Sequence, residues 1–106
     1  MTDKEMLGLA AKAAGIEYTE HEGALFVKRS MVHKREWSPL KDDGDALRLA
    51  VKLNIAVIPD PSFGMVHADP VCHAISESSQ DYGDDPYAAT RRAIVRAAAA
   101  IGEAMP

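Results

Sequence analysis

The run Glu36–Leu53, EWSPLKDDGDALRLAVKL, decides how the rest of the chain is read. It sets the only tryptophan, a proline and three aspartates directly ahead of an amphipathic stretch, so the acids either start a helix or form a reactive site. Ser38-Pro39 opposes helix upstream, because the proline ring crowds the backbone before it. Asp42 or Asp43 can then accept hydrogen bonds from the free N–H groups of a first turn. Acids there also face the positive end of the helix dipole, worth about 0.3–1 kcal/mol each. Leu47, Ala50 and Val51, with Leu49 and Leu53 beside them, are expected on the buried side. Lys52 suits the last turn, and Asn54 the left-handed cap.

The competing reading makes Asp42, Asp43 and Asp45 ligands for a divalent cation. A calcium loop needs alternating ligands and a distal bidentate glutamate, and Leu53 or Asn54 stands where that glutamate belongs. Helix initiation accounts for every acid in the cluster. Trp37, with Pro39 and Leu40, is then the anchor that pins the incoming loop to the core, with Asp42 and Asp43 as structural starters.

Working outward, Thr2 and Glu5 form a capping box for a helix over about 3–14, with Met6, Leu9, Ala10 and Ala13 inward and Gly15-Ile16 closing it. Ala24–Lys28 reads as a strand, with a second extended piece running toward Trp37. After the central helix, Ile55–Pro59 is rich in strand formers, and GMVHADPVCHAIS reads as two strands broken at Asp69-Pro70. Asp85-Pro86 supplies an N-cap and a proline at the first helical position. The final helix, to about Ala104, should bury Tyr87, Ile94, Ala97, Ala98, Ile101 and Met105, with Arg92 and Arg96 pointing away. The expected fold is α+β, a small, largely antiparallel sheet packed with three amphipathic helices in a sandwich-like arrangement, and 106 residues suit a single domain.

Composition narrows the roles. No apolar run approaches a membrane span, no signal-peptide layout opens the chain, and the lone Cys72 fits a reducing compartment, so a cytoplasmic protein is expected. The net charge of −4 is unevenly spread: Lys28, Arg29, Lys34, Arg35 and Lys41 cluster against one acid, whereas 53–90 carries six acids and no lysine or arginine. His21, His33, His67 and His73 lack the paired spacing of a zinc site, and Cys72 beside His73 on a strand would face the opposite way, so a buried thiol and partly exposed imidazoles are expected. Ser30 and Ser62 lie on no nucleophile elbow, and no phosphate-binding glycine loop occurs. No catalytic residue, cofactor or metal is therefore assigned.

The pattern from Trp37 to Asn54, together with DPYAATRRAIVRAAAAIGEAM near the end, resembles small bacteriophage and prophage proteins of the phage α-β-α sandwich domain family. That resemblance implies a fold and a bacterial host cytoplasm, but no activity. The preferred function is a non-catalytic protein-interaction module, an accessory protein whose partner is a phage or host protein. Lys28, Arg29, Lys34, Arg35, Arg91, Arg92 and Arg96 are the candidate interaction residues, and a homo-oligomer, most simply a dimer, is expected. A nucleic-acid-associated protein using the 28–41 segment and the last-helix arginines ranks second, and a metal-dependent enzyme built on the aspartates third.

Overall fold

Each helix begins where a side chain satisfies its free amides. In the computed structural model, which describes residues 1–28 and 34–106, Thr2 and Glu5 close the capping box of α1 (Asp3–Ala14). Gly15 ends that helix at φ 66°, and the Ile16 N–H donates to the Ala11 carbonyl at 2.9 Å, which covers the last turn. Asp42 caps α2 (Asp43–Leu53) by accepting from the Asp45 N–H at 2.8 Å, and Asn54 closes it at φ 54°. Asp85 caps α3 (Pro86–Ala104), accepting from the Tyr87 and Ala88 N–H groups.

The strands lie between these helices, and the architecture is α+β. Its antiparallel strands are divided between two three-stranded sheets: β1 (Thr19–His21), β2 (Ala24–Lys28) and β3 (Lys34–Glu36) in the first, β4 (Ile55–Asp60), β5 (Met65–Pro70) and β6 (Ser78–Asp81) in the second. The insertion of α2 between β3 and β4 separates them. β5 alternates cleanly, with Val66, Ala68 and Pro70 buried and Met65, His67 and Asp69 half-buried. The inward set meets α3, which also contacts α1 and α2 and accordingly buries most of its circumference, from Ala93 to Val95 and from Ala97 to Ala99.

α1 and α3 pack through small residues. Ala10, Ala11 and Ala14 are buried on one helix and Ala97, Ala98 and Gly102 on the other, and a Cβ at Gly102 would overlap the Leu9 carbonyl. Asp3 meets Arg92, Leu9 meets Gly102 and the Lys12 ammonium meets the Met105 carbonyl, so the two helices run in the same direction.

Several expectations need correction. Leu47 and Val51 are 62% and 70% exposed, because α2 instead buries Asp45, Ala46, Leu49, Ala50 and Leu53. The inward turn of Asp45 toward Arg35 and the Ser38 amide sets that face. Tyr87 is exposed in the first turn of α3, and Met105 lies past its end. The second strand expected beyond Pro70 is a turn, closed by the His73 N–H on the Pro70 carbonyl, and Cys72 is exposed there rather than buried. The free edge of β5 is taken instead by the polar Ser78–Asp81. β1 arises from a two-residue hairpin turn with positive φ at both Glu22 and Gly23.

Candidate functional site

Trp37 is buried at 6% exposure, and its backbone N–H donates to the Leu25 carbonyl at 2.8 Å, continuing the line of β3. Pro39, two residues on, is fully buried, and together they hold the segment leading into α2 against the core. Trp37 also lines two cavities.

The larger is a cleft of about 880 Å³ between the first sheet, the start of α1 and the β6–α3 connection. Leu7, Leu25, Leu40, Tyr82 and Ala89 give it an apolar floor, and six carboxylates against three cations line it. Several of these charges are already engaged. Arg92 donates to Asp3 at 3.0 Å, Lys4 pairs with Glu20 at 2.7 Å, and Asp85 is the α3 cap. The remaining acids, Glu22, Glu36, Asp81 and Asp84, give the cleft its negative character.

The smaller cavity is a notch of about 220 Å³ walled by Ile16, Val27, Trp37 and Leu49, with Arg35, Arg48 and Lys52 around it and Asp45 behind. Asp45 is 2% exposed. Its Oδ1 accepts from Arg35 at 2.7 Å and from Arg48 at 2.8 Å, and its Oδ2 accepts from the Ser38 N–H at 2.9 Å. Burial pushes the Asp45 carboxyl up, but the Ser38 amide and the Arg48 and Arg35 guanidiniums outweigh it and hold the group below the usual carboxylate range. Asp42 lies 3.8 Å from both guanidiniums, so the helix cap also steadies them.

A third constellation lies outside both cavities. His67 Nδ1 and Ser79 Oγ are 2.8 Å apart, His67 Nε2 lies 3.4 Å from Asp60, and Glu77 lies 3.9 Å from Nδ1. The groups echo a serine–histidine–aspartate relay, and they meet because β4, β5 and β6 place Asp60, His67 and Ser79 on one sheet face. A relay acts only with a substrate cleft and donors for the developing oxyanion, and neither cavity includes these residues. The arrangement is a cross-strand polar network. Among the described residues, no three histidine, cysteine, aspartate or glutamate side chains could hold one metal ion.

The basic residues singled out from sequence fall on β2, β3 and α3 where they are described. Lys28 and Lys34 are cross-strand partners, both exposed, and Arg29 lies outside the described residues. The last-helix arginines act as ties between elements. Arg91 donates to the Leu40 carbonyl and to Asp43, Arg92 to Asp3, and Arg96 to the Ser79 carbonyl and Gln80. Arg35 lines the notch and Arg92 lines the cleft. Trp37 and Pro39 are buried in this region, Asp42 caps α2, and Asp43 serves as the partner of Arg91. Sequence reasoning missed Arg48, Lys52 and the buried role of Asp45. The three-residue spacing of Asp45 and Arg48 signals a helical pair, whereas the meeting with Arg35 depends on tertiary structure.

No family model, no curated protein and no solved structure matches the chain.

Proposed function

We propose that the chain is a protein-interaction module whose cleft beside Trp37 receives a basic, partly apolar peptide segment of a partner protein. The observation that carries this is the pairing of an apolar floor with surplus carboxylates in a cleft of about 880 Å³. Such a groove favours cationic side chains at its rim and apolar ones at its base, and it repels phosphates. The phage resemblance makes a phage or host protein the natural partner class. The test is a titration with a labelled nine-residue peptide alternating lysine or arginine with leucine, beside its glutamate counterpart and a short DNA duplex. Binding by the basic peptide is expected at a Kd on the order of 10 μM at low salt, weakening as salt rises. No binding by the basic peptide, or tighter binding by the duplex, overturns the reading.

A second reading concerns self-association and rests on one observation. Leu47 and Val51 form an exposed apolar pair one turn apart on α2, with Asp42 and Asp43 at one end of the helix and Lys52 at the other. Two copies crossing antiparallel at this pair would bring acidic ends toward basic ones around a two-fold axis. Light scattering at two protein concentrations, with Leu47→Glu as control, decides it. A monomer at high concentration rejects the dimer.

A further inference from the structure

The notch has a chemistry opposite to that of the cleft and is too small for a peptide chain. Its about 220 Å³ exceeds the roughly 150 Å³ apolar cavity that accepts a benzene molecule, so one aromatic ring with a headgroup is the fitting size. Its walls match that shape, with Trp37, Leu49, Val27 and Ile16 as the apolar surface.

Three cationic residues, Arg35, Arg48 and Lys52, line the notch, and two of them are tethered. Arg35 and Arg48 are both hydrogen-bonded to one oxygen of the buried Asp45, which is itself fixed by the Ser38 amide. The Arg48 guanidinium also lies close over Gly44, where a Cβ would come within 3.2 Å of both its terminal nitrogens. A guanidinium carries five N–H donors, and the bonds to Asp45 use few of them. The remaining donors are held in fixed forks that match a planar or tetrahedral oxyanion, and the ordering entropy of those two side chains is already lost in the folded state. Lys52, one turn beyond Arg48 on α2, adds a point charge to the same rim.

We infer that this notch binds a small aryl oxyanion, a single aromatic ring bearing a carboxylate or phosphate group, with the ring against Trp37 and Leu49 and the headgroup between Arg35, Arg48 and Lys52. The site is independent of peptide binding in the cleft, and either can fail without the other.

The test uses the whole folded chain and two probes, benzoate and phenyl phosphate, with benzamide and inorganic phosphate as controls. Binding is followed by calorimetry and by the emission of Trp37, the only tryptophan. At least one aryl anion should bind saturably with a Kd of about 1 mM or tighter and change the Trp37 emission, and both controls should bind at least about tenfold more weakly. The tighter of the two probes identifies the headgroup. Lys52→Gln and Arg48→Gln should each weaken binding about fivefold or more. Lys52 is exposed on the helix surface, so its variant tests the site even where Arg48→Gln loosens the Asp45 cluster. The inference is overturned if neither aryl anion saturates at about 10 mM. It is equally overturned if benzamide binds as well as benzoate, or if Lys52→Gln binds like the parent chain.

Discussion

The cleft and the notch share Trp37 as a lining residue, and they hold opposite charges in different ways. In the cleft, Glu22, Asp81 and Asp84 are exposed carboxylates on turns and strand ends, spread over a wide opening. In the notch, two guanidiniums converge on a single buried carboxylate and keep a fixed geometry. Spread, solvated charge acts at range and is screened by salt, so it selects a partner by its overall sign. Converging, tethered charge acts at contact and selects by shape. One small domain thus carries two modes of recognition, with Trp37 as their common wall.

Removing the wall the two cavities share has the largest expected effect. Trp37→Ala should cost about 3–5 kcal/mol, as for a large aromatic taken from a core, and should remove a wall that both cavities share. Chemical denaturation measures the loss, and a cost under about 1 kcal/mol would mean the indole is not a structural wall.

Asp45→Ala comes next and affects only the notch. It strands the Ser38 amide and leaves Arg35 and Arg48 with only the longer contact to Asp42 at 3.8 Å, with an expected cost of about 2–3 kcal/mol at neutral pH. Because the native state holds the Asp45 carboxyl below its ordinary value, this contribution is complete above the unfolded pKa of about 3.9 and is lost as pH falls through the folded value. Parent and variant stability curves should therefore converge below about pH 4. A constant gap down to the acid limit would locate the effect in packing instead of charge.

Asp42→Ala tests the cap that steadies both guanidiniums, and about 1 kcal/mol is expected in thermal melts. The gentlest change sharpens the contrast from the other side. Asp81→Asn with Asp84→Asn should alter stability by less than about 0.5 kcal/mol, since both carboxylates are exposed. The same pair should weaken the basic peptide about tenfold while leaving aryl anion binding unchanged.

The helices were legible because their signals are local. Thr2 with Glu5, Asp42 with Asn54, and Asp85 with Pro86 each lie within reach of the amides they satisfy, and the structure keeps every one of those caps. Strand pairing was less legible, since Glu22-Gly23 is not the customary pair for a tight hairpin and Ser78–Asp81 looks like a loop until β5 offers it an edge. The face of α2 was misread for one physical reason. Hydrophobic spacing favoured Leu47 and Val51 inward, but a carboxylate with three donors waiting at Arg35, Arg48 and Ser38 can be buried at little cost, and it turned the helix. The notch escaped notice for the same reason, because its charges belong to β3 and α2 and meet only in the fold. The cleft is assembled from still more distant pieces, Glu36 of β3 and Asp81 of β6 among them.

The parallel contact between α1 and α3 bears on how the chain is made as well as how it is held. Arg92 and Asp3 are 89 positions apart, and the Lys12 to Met105 contact spans 93. A ribosome releases the alanine face of α1 well before α3, so during synthesis that face waits for the helix that covers it. The core closes only when α3 emerges, as a long-range step of high contact order.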